Sequence, residues 1–415
     1  MADSKQLMST RAVFLLGINS IVGSGIFLLS GKLYTAAGVW SLLAIVLAGL
    51  SMLVIGSSYA NMSKIYPENG GACVYVKGTF GRFPGFIVGM LAWLQTTITI
   101  STETSAFLTA LKMLYPKLQT LLIGLAIILI LGVFSFFGGT ILTKLNNLSS
   151  LLKIVIILAF VFVCVWLIKG SHFALPSAGS SQSGLTGFLS AYGTAFFFFT
   201  GFTFLPINAE KMKNPTKTLP KMILLVISVA MVIYTVIQAV GIGVLGAALP
   251  KTAVPAATAF ADVVGTIGGP IIIIGLCISV LGVAISATFN APTIFTELAD
   301  QEVGMPAKFA KTNQHGTASV AVIVTTICAA LLFTSGSYSF LAGMTVFLCF
   351  VQYISTALAN IKKKYIWVGI GALLFSLVLF ASFTVPTLLL GFSIIVLLAL
   401  AYLIYGREKK RLEKK

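Results

Sequence analysis

Twelve stretches of this chain are apolar for roughly twenty residues each: 12–31, 38–61, 84–111, 119–137, 145–168, 186–208, 221–246, 266–291, 317–335, 340–360, 365–384 and 386–405. A helix rises about 1.5 Å per residue and a bilayer's hydrocarbon core is about 30 Å thick, so each stretch can cross once. The polar intervals between them are short and leave no room for a separate soluble domain. The pattern predicts an all-α integral membrane protein, a single domain over residues 1–415 with twelve spans. The first ten residues are polar and the first apolar run has no small-residue exit, so no cleavable leader is expected.

Two of the runs are interrupted. The first contains Gly17-Ile18-Asn19-Ser20-Ile21-Val22-Gly23-Ser24-Gly25-Ile26-Phe27. Small and polar residues this dense at mid-depth predict an unwound helix, whose freed N–H and C=O groups lipid cannot satisfy but a polar ligand can. The sixth reads Phe196-Phe197-Phe198-Phe199-Thr200-Gly201-Phe202-Thr203, with Pro206 and Asn208 following. Interrupted segments at corresponding positions of two halves point to a transporter's binding site. Runs one and six fit a five-plus-five inverted repeat: residues 1–168 form the first half, 186–360 the second, and 365–405 two added helices.

Composition agrees. The chain is 58% hydrophobic and 9% charged, with a mean hydropathy of +1.04. With a cytoplasmic N-terminus, 21 of the 27 Lys and Arg fall on the inner side, and only Lys32, Lys112, Lys117, Lys169 and Lys251 on the outer. That asymmetry puts both termini in the cytoplasm and explains the net charge of +17 without nucleic acid; the membrane expected is the plasma membrane. The basic run Arg407-Glu408-Lys409-Lys410-Arg411 reads as a juxtamembrane tail facing solvent or lipid. Of the five cysteines, Cys164, Cys277, Cys328 and Cys349 lie in spans and Cys73 in a cytoplasmic loop, so no disulfide framework is expected. His172 and His315 fall on opposite sides. No cluster suggests a metal or a cofactor, and no nucleophile–base pair suggests an enzyme.

The remaining charge, Lys153, stands near the middle of 145–168. Nine residues from Lys144 place it about 14 Å along a helix, near the centre of the bilayer. An ammonium there costs about 2.5–3.5 kcal/mol on insertion scales and persists where it faces a polar interior and serves function. Glu103, in the outer half of the third run, is the other intramembrane charge and a candidate partner for a cationic ligand, a structural polar group or a proton. Gln95, two turns inward, is a further candidate for substrate binding and the expected neighbour of Lys153.

Gly23-Ser24-Gly25-Ile26-Phe27, the stretch Tyr66-Pro67-Glu68-Asn69-Gly70-Gly71 with Tyr75 and Phe80-Gly81, and Thr200-Gly201-Phe202 with Glu210-Lys211-Met212-Lys213-Asn214-Pro215 occur together in this chain. In that combination it resembles the amino acid–polyamine–organocation transporters over nearly its whole length. The resemblance implies the LeuT-type fold, with helices one and six discontinuous. It implies that the backbone N–H groups of Ser24 and Gly25, beside Gly23, hold a substrate carboxylate. It gives the substrate ammonium to the carbonyls of Ile21, Phe197 and Thr200, counts Gly201, Phe202 and Thr203 at the second break among the substrate-binding residues, and makes Phe197 an aromatic lid. Leu151-Leu152-Lys153-Ile154 looks like the stretch whose lysine replaces the sodium ion of sodium-coupled relatives, as a fixed cation or a proton donor. Two departures stand out: Thr203 where family members often carry Glu, and Pro292-Thr293-Ile294-Phe295-Thr296 where an Arg and Tyr are usual.

The sequence therefore predicts a secondary active amino acid transporter, sodium-independent, working by proton-coupled symport or substrate exchange. Its partners are a small amino acid and the lipid bilayer, with protons as the candidate coupling ion. An exporter or an amino acid–amine antiporter is the alternative, and a passive channel stands behind it because no continuous polar face is evident. Side-chain class and oligomeric state are left open.

Overall fold

A computed structural model describes residues 7–137, 139–175, 184–265, 267–300, 305–335 and 337–412. Among them every regular element is helical; the only β-type pairings are isolated bridges, Met8 with Met212 and Thr312 with Ala318. In chain order the α-helices are α1 (Thr10–Ile21), α2 (Gly25–Ala37), α3 (Ser41–Ile65), α4 (Ala72–Phe80), α5 (Arg82–Leu114), α6 (Thr120–Phe136), α7 (Gly139–Cys164) and α8 (Leu185–Phe199). Then come α9 (Phe204–Ile207), α10 (Pro215–Leu245), α11 (Pro255–Val264), α12 (Gly268–Asp300), α13 (Ser319–Ser335), α14 (Tyr338–Lys362), α15 (Ile366–Phe380) and α16 (Val385–Leu412).

Among the described residues, 8 helical segments are long and apolar enough to cross a membrane, and α1, α6, α11, α13 and α15 are shorter apolar helices. Each apolar run of the sequence has a helix on it. The run 12–31 is two helices, as its glycines predict. Two helices were not set apart by the pattern: the short α4, and α11, which begins at Pro255 and is closed by Gly265 at φ +82°. α10 starts at Pro215, six residues before the apolar run, because proline suits the first helical turn. Cys73, read as a loop residue, lies in α4 and is buried, its Sγ 3.5 Å from the Gly85 carbonyl. The side chains of Lys144 and of the basic tail run 407–411 lie outside the described residues.

The outward surface is apolar: Phe162, Trp166, Leu331, Trp367 and Leu389 are all well exposed. Water would not tolerate such a belt on a monomer, whereas hydrocarbon does. Polar residues are turned inward. On α5 the buried Thr96, Thr97, Thr99, Thr102 and Thr104 donate to carbonyls four residues back. Each hydroxyl is satisfied within its own helix, which lets a polar stripe sit in the interior without a partner from elsewhere.

α5 packs along α12 and α10 along α3, while α1 lies against α7, α10 and α12. At one end the chain before α1 is tied down: the Met8 N–H donates to the Lys211 carbonyl (2.7 Å), and the Lys213 N–H donates to the Met8 carbonyl (3.2 Å).

Candidate functional site

α1 stops at Ile21 and α2 starts at Gly25, leaving Val22-Gly23-Ser24 between two helix ends that face each other. Glycine is required there by close approach. A Cβ on Gly23 would lie 2.6 Å from Oε1 of Glu103, and one on Gly25 would lie 2.5 Å from the Phe198 ring. The break exposes carbonyls at the end of α1, which carry partial negative charge, and N–H groups at the start of α2, which carry partial positive charge.

Side chains from four helices meet these groups. On the carbonyl side, Lys153 of α7 donates from Nζ to the Asn19 carbonyl (2.9 Å) and to that of Val22. Tyr234 of α10 donates to the carbonyls of Ile21 and, at 2.8 Å, of Phe198. On the N–H side, Ser24 donates its N–H to the Glu103 carboxylate of α5 (3.3 and 3.2 Å) and its hydroxyl to Oε1 (3.0 Å). Tyr338 of α14 lies 2.8 Å from the same hydroxyl. Cation therefore sits on the negative helix end and anion on the positive one, and both charges are buried.

Below the break an amide network pins α1 to α7 and α12. Asn19 Nδ2 donates to Asn146 Oδ1 (2.6 Å), to the Gly282 carbonyl (2.9 Å) and to Ser286 Oγ (3.3 Å). Ser286 donates to Asn146 (2.6 Å), and Ser149 to the Ile278 carbonyl (3.0 Å).

The second break runs from Phe199 through a 3₁₀ turn, Thr200–Thr203, into α9. The Thr200 hydroxyl donates to the Phe197 carbonyl and the Thr203 hydroxyl to the Thr200 carbonyl, both at 3.0 Å. These carbonyls are the ones expected to hold an ammonium; a carbonyl has a second lone pair, so each can still accept. Gly201 crosses the first broken helix backbone against backbone, where a Cβ would fall 1.9 Å from the Ser20 carbonyl oxygen.

Between the two breaks lies a cavity lined by Ile21, Gly23, Gly25, Gln95, Glu103, Phe197, Thr200 and Gly201, all singled out from the sequence. Ser20, Thr99, Phe198, Phe204 and Val283 complete it and were not singled out. Gln95, Thr99 and Glu103 are spaced by four, so one face of α5 presents all three. Gln95 Oε1 is buried without a hydrogen-bond partner. Ser24, Phe202 and Thr203 do not line the cavity: the N–H and hydroxyl of Ser24 are taken by Glu103, and the Phe202 ring packs on Tyr59 (5.1 Å between centroids) and Tyr353 (6.0 Å). Lys153 lies behind the break in a separate small cavity with Phe27, Ile157 and Ser279. Its hydrogen bonds go to the carbonyls of Asn19 and Val22, not to Gln95 as expected. Tyr234, Tyr338 and Asn146 were missed too; a tyrosine or asparagine deep in an apolar run was the signal available. Among the described residues no three His, Cys, Asp or Glu side chains gather as metal ligands would.

The amino acid permease family's sequence model matches residues 8–405. An uncharacterized transporter of Mycobacterium tuberculosis is 30% identical over 389 residues, covering 84% of this chain and 78% of its own length. A branched-chain amino acid permease of Bacillus subtilis is 29% identical over 253 residues, 56% of this chain and 53% of the relative. An arginine/ornithine antiporter of Latilactobacillus sakei is 27% identical over 437 residues, 96% of this chain and 90% of the relative.

Proposed function

The chain belongs to the amino acid permease family, and from that premise we propose that it is a secondary active amino acid transporter working by alternating access without sodium. Its family members carry solutes across membranes and are not enzymes, and the multi-pass helical fold agrees. We read the helices as twelve spans in a five-plus-five inverted repeat of the LeuT type, both termini cytoplasmic. α1–α2 and α8–α9 are the two discontinuous members.

One observation carries this reading: two interrupted helices cross at Ser20 and Gly201 and enclose a cavity with a helix N-terminus on one wall and helix-end carbonyls on the other. That arrangement offers donors to a carboxylate and acceptors to an ammonium a few ångströms apart, which is the charge pattern of a free amino acid. Lys153 supports independence from sodium, because a fixed ammonium already neutralises the carbonyls of Asn19 and Val22 that a bound cation would otherwise serve. Coupling is then to protons or to a counter-substrate.

An amino acid–amine antiporter is the second reading, favoured by one feature: a buried carboxylate, Glu103, lines the cavity and could face a cationic ligand. Purified protein in proteoliposomes, loaded with labelled substrate and challenged with every amino acid and with common amines in sodium-free buffer, tests both. Exchange driven by amino acids is expected. Exchange that requires sodium, or none with any amino acid, would overturn the reading.

A further inference from the structure

Ser24 offers one backbone N–H and one hydroxyl at the start of the 13-residue helix α2, and both already donate to Glu103. The carboxylate has been drawn so close to the break that Gly23 has no room for a Cβ beside it. This is the seat at which a substrate carboxylate is expected on the reading above, on which this inference rests. We propose that Glu103 and a substrate's carboxylate exclude one another at Ser24: Glu103 holds the seat at rest, and an amino acid takes it only as Glu103 takes up one proton.

Two carboxylates cannot both stay ionised at one dry seat, so a second anion forces a proton onto one of them. Charge balance is simple. The Glu103 carboxylate gains a proton from solution, gives up the Ser24 N–H, and as a neutral acid donates its O–H to the incoming carboxylate. No covalent bond changes. The other charged or titratable groups facing Glu103 are Lys153 from α7, Tyr234 from α10 and Tyr338 from α14. Phenols ordinarily titrate near pH 10 and stay protonated at neutral pH, and Lys153 is held by two carbonyls on the far side of the break. The second sign of a ligand is Gln95: eight residues before Glu103 on the same face, it is buried, lines the same cavity, and has an Oε1 without a partner. That oxygen is placed to accept from a substrate ammonium. A ligand with an ammonium but no carboxylate would bind with Glu103 left in its seat.

The test uses the full chain in detergent and four probes: L-leucine and L-arginine, with their decarboxylated counterparts isoamylamine and agmatine. Affinity is measured by calorimetry at several pH values between about 5.5 and 8.5, and proton uptake by a dye in weak buffer. Whichever amino acid binds should bind about tenfold more tightly for each pH unit lowered, over the range where free Glu103 is ionised, and take up one proton per molecule. Glu103→Gln should bind it at every pH with the wild type's low-pH affinity and take up no proton. The proton measurement on the wild type stands even if that variant does not fold. An amine should bind with no proton uptake. Flat wild-type affinity for the amino acid with no proton uptake, or a proton still taken up by Glu103→Gln, would overturn the inference and leave the transport reading standing. Amines bound at every pH and amino acids at none would overturn both.

Discussion

Ser20 and Gly201 touch through their backbones: the space a Cβ would need at Gly201 is occupied by the Ser20 carbonyl oxygen, 1.9 Å away. No side-chain rotation can relieve that, because both partners are main chain. Gly201→Ala should therefore push the two broken helices apart, at a cost of about 3 kcal/mol or more, the upper range for overpacking a tight core. The expected outcome is a clear fall in the detergent melting midpoint together with loss of ligand binding. A variant that melts and binds like the wild type would remove this crossing from the working centre.

Gly25 makes a softer prediction. A Cβ there meets the Phe198 ring at 2.5 Å and the Phe197 ring at 3.1 Å, and rings can shift. Gly25→Val should leave a folded protein yet close the cavity. Substrate-induced thermal stabilisation should vanish while the unliganded melting point falls modestly; normal stabilisation would mean that the carboxylate is held elsewhere.

Lys153→Ala strips partners from the Asn19 and Val22 carbonyls and leaves Glu103 without its nearest cation. Each buried group left unsatisfied costs about 1–3 kcal/mol. Transport should fall at least about tenfold with protein still inserted, and wild-type uptake should be the same in sodium and choline buffers. Strict sodium dependence of the wild type would contradict the role given to this lysine.

Asn146 accepts from both Asn19 and Ser286. Asn146→Leu keeps the branched outline but is bulkier, and it takes the acceptor from the buried Ser286 hydroxyl and one of three from Asn19 Nδ2, so the melting midpoint should fall by several degrees, in line with about 1–3 kcal/mol. An unchanged midpoint would show that the network does not hold α1 in place.

Cys73 lies on α4, outside the spans. Burial, then the nearby Glu297 charge, push its thiol up to about 12, with Lys77 acting weakly the other way. The thiolate is the reactive species, so almost none exists at neutral pH. In a variant that keeps Cys73 alone, maleimide at pH 7 should label the protein only after denaturation. Rapid labelling of folded protein would show that α4 opens.

The two interruptions and the two intramembrane charges were legible because each breaks a rule that lipid enforces: glycine and serine in mid-helix, and an ion at bilayer depth. The partners were not. Glu103 reaches Ser24 across 79 positions of sequence, and Lys153 reaches Val22 across 131. Helices apolar on nearly every side give little periodic signal of which face turns inward, so the missed contribution of Tyr234 and Tyr338, and the misassigned pairing of Gln95 with Lys153, share one cause. The spacing of Gln95, Thr99 and Glu103 does carry register information, since polar residues four apart on α5 mark its interior face. α4 and α11 escaped notice because neither is long enough to register as a crossing.

With Met8 bonded on both sides to the 211–213 backbone, α1 is coupled to the segment that leaves α9. A tilt of α1 must either break those two hydrogen bonds or drag that segment along. On the transport reading proposed above, the cheaper course is to move together, so that the two broken helices would tilt as one lever about the Ser20–Gly201 crossing, yoked by a backbone clasp at Met8 that lies outside the cavity.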